Sequence, residues 1–437
     1  MLRHEPMPSR QAFGPTERAA VQEVLDYYKD EDPPYGGYFE KRFSDAFVLK
    51  MGGGLATPVA TGTGACYLAL AALKTYYNLP EGGEVILSPV TDSGPIAAIV
   101  ALGFVPVIAD SAPNSYNVNR QSIIDCVTDR TVAVFLVHAA GGPVSDIAEI
   151  ASDCSSSGIK LLEDCSQAPF AMADSLTHMD FWEAEGKMPK FVGSYGDIAA
   201  FSTMYRKNLQ SGGSGGIVYV PFGETAFNSE KMGLFHHVLA HKDRGKPTWR
   251  DDINQNDPGN AIFPALNWNT DEISCAIGTA SLQRIEDTIH KRNLFIVELQ
   301  KKLDKYSEVC SVYFDYHEGF SPFYIPIHVD TSKLYVNKIE FAEAVRAEGV
   351  GLLSNYGCLV ADWEWADEYI NWQPSTKYSE GYVPFAAKTP NASGTRATTF
   401  NLFLNENYGK DEAVDIALSI ARVEERTLRS GTVSGGS

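Results

Sequence analysis

Residues 131–168 read TVAVFLVHAAGGPVSDIAEIASDCSSSGIKLLEDCSQA, and their pattern is the clearest indication of the fold class. The apolar runs at 131–138 and 159–163 have the length of buried strands, and the segment 147–155 between them has apolar residues at helical spacing. Strands that are apolar on both faces and alternate with helices are typical of a parallel sheet covered by helices. The stretch therefore predicts an α/β fold with a central, mostly parallel sheet.

The same alternation extends towards both ends of the chain. An apolar run ends at Thr61 and is followed by a helix of small residues through Leu73. Further strands are predicted at 84–87, 105–110, 198–202 and 217–220, and further helices at 96–102 and 123–127. A glycine-rich turn, and no helix, separates 198–202 from 217–220, so we expect this pair to be antiparallel.

The pattern changes beyond residue 285. A long helix at 285–303 precedes a strand at 324–329 and helices at 338–348 and 411–425, which predicts a smaller C-terminal α+β domain. At the other end, we expect Thr16 to cap a first helix. The predicted division is an N-terminal arm and helix (1–30), a large domain (31–285), a small C-terminal domain (286–429) and a flexible tail (430–437).

The composition disfavours several classes of protein. The 437 residues include 36 lysines and arginines against 55 aspartates and glutamates, a net charge of −19 that disfavours nucleic acid as a partner. No apolar run of about 18 residues occurs, so we expect neither a membrane span nor a membrane partner. Seven cysteines without a CxxC pair indicate reduced thiols in the cytoplasm and no metal site.

A candidate phosphate site opens the helix after the first strand, in the sequence Thr61-Gly62-Thr63-Gly64. The backbone N–H groups at a helix N-terminus attract phosphate, and threonine hydroxyls add donors. The turn can equally serve only to pack its helix on the sheet. It lacks the third glycine of the dinucleotide fingerprint, which argues against a dinucleotide oxidoreductase.

Two further candidates follow later strands. Asp164 stands at the tip of an apolar strand, where it can pair with a protonated ring nitrogen or merely cap the next helix. Lys207 precedes the glycine run 212–216, although a single lysine is more often a solvated surface residue. A phosphate-binding turn, a strand-end acid and a loop lysine are together the three groups that pyridoxal 5′-phosphate (PLP) requires, because its aldehyde forms a Schiff base with lysine.

These motifs resemble the DegT-type sugar aminotransferases, a branch of the fold-type-I PLP enzymes, over about residues 13–425. The phosphate-binding turn of that family is matched at Gly62 and Thr63, and its Glu-Asp-x-x-Gln-Ala motif at 163–168. The resemblance implies that Lys207 is the Schiff-base lysine and that Asp164 pairs with the pyridine nitrogen.

The resemblance also assigns three residues around the cofactor. It implies that Gln167 lies near the ring hydroxyl and that Ser202 binds the phosphate. Asn267 matches an asparagine that reaches the cofactor phosphate of the neighbouring subunit. The resemblance therefore implies a homodimer with shared active sites.

The activity that the resemblance implies is transamination, because the dehydratases of the family have histidine where this chain has Lys207. The expected partners are a small-molecule amino donor, usually glutamate, and a carbonyl acceptor, namely a keto or aldehyde sugar, often nucleotide-linked. Two alternatives stay open: a PLP lyase or cyclase of the same fold, and a catalytically silent regulatory member.

Three positions depart from the family pattern. Asp92 stands among the expected cofactor contacts where the family has an aromatic residue that stacks on the pyridine ring. Asn269 replaces a common arginine, and the small residues Ala139 and Ala140 follow His138 where the family has Leu-Tyr. These changes leave the acceptor open and predict a roomier wall beside it.

Histidines offer a last set of candidates. His236, His237 and His241 form a basic segment that is interpreted either as a phosphate or carboxylate contact or as a solvated loop. His237 and His241 have the spacing of two metal ligands on one helix, but no third ligand is evident. His138 at a strand end is interpreted either as a cofactor neighbour or as a core histidine.

Overall fold

The structure of the protein is a computed structural model. The structure describes residues 13–173, 190–222, 229–255, 257–313, 316, 319–367, 369 and 388–429. The predicted tail and the first twelve residues of the predicted arm lie outside the described residues.

A seven-stranded sheet forms the centre of the fold, in the order β1-β7-β6-β5-β4-β2-β3. Five neighbouring strands, β3, β2, β4, β5 and β6, pair in parallel, and β7 is antiparallel to both β6 and β1. The strands are β1 (Leu55–Val59), β2 (Glu84–Leu87), β3 (Val105–Ile108), β4 (Thr131–Val137), β5 (Lys160–Asp164), β6 (Ile198–Ser202) and β7 (Gly216–Val220). The expected mostly parallel sheet and its antiparallel pair are confirmed.

Helices cover both faces of this sheet. The helices are α1 (Pro15–Tyr27), α2 (Tyr38–Met51), α3 (Gly62–Tyr76), α4 (Ser93–Ala101), α5 (Arg120–Ile124), α6 (Ile147–Ser156), α7 (Ser229–Lys242) and α8 (Glu272–Gln283). Apart from the partly buried Tyr67, helix α3 is buried from Gly64 to Leu73, because alanines and leucines let it lie close against the strands.

Two details at the N-terminal end differ from the prediction. Gly14, and not Thr16, is the N-cap of α1, because Pro15 occupies the first helical position, where its missing N–H costs nothing. Helix α2 was not predicted, although Phe39, Phe43 and Phe47 recur at a spacing of four and are fully buried. This periodicity is the signal that would have found it.

A second, antiparallel sheet lies in the C-terminal part, in the order β10-β11-β9-β8. Its strands are β8 (Cys310–Val312), β9 (Tyr324–Val329), β10 (Leu352–Leu353) and β11 (Thr399–Phe403). The helices that accompany it are α9 (Ile285–Tyr306), α10 (Lys338–Ala347), α11 (Glu364–Asp367), α12 (Pro390–Thr398) and α13 (Lys410–Thr427). An apolar core of its own holds this sheet against α9, α10 and α13.

Among the helices of the described residues, none has both the length and the apolar character needed to cross a bilayer. The four-part division of the chain stays a prediction.

Candidate active site

The parallel strands end at one edge of the central sheet, and a cavity of about 470 Å³ lies there. Residues of all four predicted segments line it: the turn after β1, the end of β5, the loop after β6 and the glycine run before β7. Of the eight predicted site residues, seven line this cavity: Gly62, Thr63, Asp92, Asp164, Gln167, Ser202 and Lys207.

The first turn of α3 supplies one wall of the cavity. Thr61 is the N-cap, and its hydroxyl accepts the N–H of Gly64 at 2.7 Å. A Cβ on Gly62 would lie 2.5 Å from the Cβ of Ser202, so only glycine allows the turn to approach the end of β6 this closely. The helix N-terminus and the Ser202 hydroxyl therefore form a small cradle suited to a phosphate.

Asp164 lies at the bottom of the cavity as the last residue of β5. It is 5% exposed, and its Oδ1 accepts the backbone N–H of Ser166 at 2.9 Å. Burial raises the pKa of the Asp164 carboxyl, while the Ser166 hydrogen bonds and the charge of Lys207 act in the opposite direction. No helix follows Asp164 directly, so the helix-capping alternative is wrong.

Lys207 reaches the same cavity from the loop after β6. Its Nζ lies 4.5 Å from the centre of the Phe323 ring, and its backbone N–H donates to the carbonyl of Met204 at 2.9 Å. The next residue, Asn208, is buried, and its side-chain amide donates to the carbonyl of Ser321 at 3.1 Å. This anchor fixes the loop that presents the lysine.

Two of the predicted site residues, Asp92 and Asn267, are exposed. Asp92 is exposed at the rim and caps α4, where its Oδ1 accepts the N–H of Gly94 at 3.2 Å. Asn267 is exposed, pairs with Asp243 in a β-bridge and is not among the residues that line the cavity. Its expected contact with a neighbouring subunit stays a prediction.

His138 is a core histidine with both ring nitrogens in use. Its Nδ1 accepts the N–H of Val144 at 3.0 Å, so Nε2 carries the proton and donates to Glu163 at 3.1 Å. The Glu163 carboxylate also accepts the N–H groups of Gly193, Tyr195 and Gly196. His138, Glu163 and Cys165 lie close enough together to bind a metal ion in principle. The hydrogen bonds described above, however, already use the ring nitrogens of His138 and the carboxylate oxygens of Glu163 that would serve as metal ligands.

The remaining candidate histidines, His236, His237 and His241, lie on α7, and His237 and His241 pack against α3. The Thr75 hydroxyl contacts Nδ1 of His237 at 2.8 Å and Nε2 of His241 at 3.0 Å. Burial lowers the pKa of His241 to about 4, so it is neutral near pH 7. The interpretation of this segment as a solvated loop is wrong.

The sequence prediction missed the part of the cavity that the C-terminal part of the chain supplies. Phe323, Tyr356 and Cys358 line the cavity, and Phe323 and Tyr356 are its aromatic residues within the described part of the chain. They stand far from the motifs along the sequence, and no local pattern distinguishes them from core residues.

Comparison with known proteins places the chain in a family. The sequence profile described as the DegT/DnrJ/EryC1/StrS aminotransferase family matches residues 14–383. The chain belongs to this family. The expected resemblance is thereby confirmed.

Members of this aminotransferase family with known names are distant in sequence. The chain is 27% identical to the GDP-perosamine synthase of Escherichia coli O157:H7 over 61% of its own length and 63% of that protein. It is 27% identical to the spore coat polysaccharide biosynthesis protein SpsC of Bacillus subtilis, over 92% of this chain and 93% of that one. The chain spans only 51–63% of the lengths of the first three curated relatives it matches.

Solved structures confirm the fold of this family member. The aminotransferase from Psychrobacter cryohalolentis superposes with a TM-score of 0.79 at 22% identity, covering 96% of this chain and 99% of that one. The α/β architecture with a mostly parallel central sheet and a smaller C-terminal sheet is therefore the fold-type-I arrangement that was expected.

Proposed function

We propose that the protein is a PLP-dependent aminotransferase that moves an amino group, from glutamate, to a keto or aldehyde sugar or a similar carbonyl compound, free or nucleotide-linked. The observation that carries this proposal is the convergence of Asp164, Lys207 and the Gly62–Ser202 cradle on one cavity. The buried carboxyl, the primary amine and the phosphate cradle are the three groups that the cofactor needs, so the residues present fit it.

The residues have separate roles in this proposal. When bound, PLP supplies an aldehyde and a ring that withdraws electrons. The cradle of Gly62, Thr63 and Ser202 holds the phosphate, and Asp164 keeps a proton on the ring nitrogen. Burial raises the pKa of the Asp164 carboxyl, and a positively charged ring nitrogen beside it would favour the ionised carboxylate. The Nζ of Lys207 would take the proton that leaves the α-carbon of the donor and pass it to the former aldehyde carbon of the cofactor. It would move a proton in the opposite direction when the acceptor reacts.

The proposal of a sugar-like acceptor has two supports. The named relatives are a GDP-perosamine synthase and a polysaccharide biosynthesis protein. At the rim, Asp92 presents a carboxylate where the family has an aromatic residue, and a carboxylate accepts hydrogen bonds from hydroxyl groups. We propose that the small side chains of Ala139 and Ala140 leave room for the acceptor. Both residues are buried.

We also propose a cytoplasmic homodimer in which Asn267 completes the site of the neighbouring subunit. Exposed apolar side chains surround Asn267 in the sequence, with Leu266 58% exposed and Ile262 and Ile273 also on the surface. Such side chains are typical of an interface between copies. The seven cysteines are all free thiols, which supports a reducing compartment. The division into domains at residue 285 remains part of this proposal.

The decisive experiment asks whether Lys207 carries the cofactor. Purified protein incubated with PLP should gain a visible absorption band, and borohydride reduction should leave a pyridoxyl adduct on the Lys207 peptide in mass spectrometry. Lys207→Ala should lose the adduct, whereas Lys291→Ala, which changes an exposed lysine of α9, should keep it. A protein without a band or an adduct would refute the proposal.

The activity is tested by adding amino donors to the loaded protein. Glutamate should convert the cofactor to its amine form and yield one 2-oxoglutarate per site, and a keto sugar should reverse the change. Release of ammonia or loss of substrate without conversion would favour the lyase alternative. Cofactor binding with no donor reaction at all would favour a regulatory member.

A further inference from the structure

The Gln167 side chain lies between two groups that fix its orientation. It is 7% exposed, its Oε1 accepts the backbone N–H of Ala140 at 2.8 Å, and its Nε2 donates to the hydroxyl of Tyr356 at 3.2 Å. A backbone N–H is only a donor, so the oxygen of the amide must face Ala140 and the nitrogen must face Tyr356. The orientation of the Gln167 side-chain amide is therefore defined.

The backbone of Ala140, which makes this contact, has a strained conformation. Its φ of 61° lies in the left-handed region, which a residue with a Cβ rarely adopts. Its carbonyl accepts the N–H of Phe323 at 3.2 Å, and the carbonyl of Gly141 accepts that of Ser321 at 2.9 Å. Strained backbone that its surroundings hold in place is a frequent feature of functional sites.

Aromatic packing and a backbone hydrogen bond fix the position of Tyr356, on the opposite side of the Gln167 amide from Ala140. Its ring centre lies 5.0 Å from that of Tyr324 and 5.9 Å from that of Tyr116. Two residues further on, the carbonyl of Cys358 accepts the N–H of Thr91 at 2.9 Å, which joins this segment to the loop before α4. The hydroxyl is therefore aimed at Gln167 by packing and by backbone pairing.

The sheet order places Gln167 opposite the phosphate cradle. Ser202 ends β6 and Ala140 follows β4, on the two sides of the strand that carries Asp164. In PLP, the phosphate arm and the ring oxygen lie on opposite sides of the line from the ring nitrogen to the aldehyde carbon. With the nitrogen at Asp164 and the phosphate at the cradle, the ring oxygen faces Gln167.

We propose that Tyr356 is a positioning residue for the cofactor: its hydroxyl takes one hydrogen of the Gln167 amide nitrogen and thereby directs the other towards the ring oxygen. This inference rests on the proposed function. Without the hydroxyl, the Ala140 contact remains, but the amide can rotate about it. The hydrogen bond to the ring oxygen is then weaker, and we expect PLP affinity to fall by about 3- to 10-fold, the value of one net hydrogen bond.

The test compares Tyr356→Phe with Tyr116→Phe. Both keep an aromatic ring in the same cluster, but the Tyr116 hydroxyl bonds to Thr399 at 2.6 Å and not to Gln167. Tyr356→Phe should weaken PLP binding and shift the visible absorption maximum of the bound cofactor, and Tyr116→Phe should do neither. Thermal unfolding of the two apo variants should be similar.

A double-variant cycle with Gln167→Leu separates positioning from packing. If Tyr356 acts through Gln167, Tyr356→Phe has no further effect on affinity or spectrum in the Gln167→Leu background. An equal effect in both backgrounds, or a Tyr356→Phe variant that behaves like Tyr116→Phe, overturns the inference alone. Failure of the unsubstituted protein to bind PLP overturns the proposed function and this inference with it.

Discussion

Replacing Arg292 by methionine should destabilise the protein and loosen the loop that carries Lys207. Arg292 is fully buried on α9, where it forms an ion pair with Glu406 and donates to the side-chain oxygen of Asn208. Its Nη1 also donates to the carbonyl of Pro322 at 2.8 Å. Methionine keeps most of the side-chain volume but removes the guanidinium that lies beside the buried Glu406 carboxylate.

The size of the effect follows from this burial. Two unit charges about 4 Å apart at an effective dielectric constant of about 20 attract each other by about 4 kcal/mol. Breaking a buried pair by removing one partner costs about 3–5 kcal/mol, because the remaining charge is uncompensated. The neighbouring pair of Lys291 and Asp287, with side chains 49% and 60% exposed, should contribute at most about 1 kcal/mol.

Urea unfolding monitored by tryptophan fluorescence measures the difference. Arg292→Met should lose about 3–5 kcal/mol of unfolding free energy and Lys291→Met at most about 1 kcal/mol. Adding Glu406→Gln to Arg292→Met should recover part of the loss, because it removes the uncompensated charge. If Arg292→Met were as stable as Lys291→Met, or if Glu406→Gln brought no recovery, the ion pair of Arg292 with Glu406 would not be a major source of stability.

Two further predictions concern the cradle and the histidines. Gly62→Ala would place a Cβ 2.5 Å from the Cβ of Ser202, so PLP affinity should fall by about tenfold or more. Gly394→Ala, whose Cβ would meet nothing within 4 Å, should leave the affinity unchanged. Equal dissociation constants for the two variants in equilibrium dialysis would contradict this prediction. Burial lowers the pKa of His241 to about 4, so between about pH 4 and 6.5 the unfolded chain binds a proton at this residue that the folded chain does not. The free energy of unfolding should therefore fall by about 3 kcal/mol as the pH drops through this range. His241→Gln should reduce this slope in unfolding measured against pH, and an unchanged slope would show that another group is responsible.

The predicted groups of the cavity share a local origin. Asp164 ends an apolar strand, and Thr61 and Lys207 lie in the loops that follow two others; strands that run in the same direction bring their carboxyl ends to one edge. The same local rules gave a wrong result at Thr16, where Pro15 at the first helical position shifts the N-cap to Gly14.

Other features depended on packing between distant segments. The histidines of α7 were open to several interpretations because a basic cluster on a helix is exposed or buried depending on what covers it. Here α3 covers it, and Thr75 occupies the nitrogens of His237 and His241. The contact between Tyr356 and Gln167 joins residues 189 positions apart, which no periodicity records.

The alternation of strands and helices, the sheet edge where the site lies and the chemical groups that meet there could be predicted from the sequence, because residues close together in the chain set where strands end and helices begin. Three features needed the folded structure: the aromatic side chains that close the cavity, the orientation of the Gln167 amide and the anchoring of the lysine loop by Arg292. These features depend on how C-terminal segments pack against the loops beside the central sheet, and the free energy of that packing is spread over many side chains far apart in sequence.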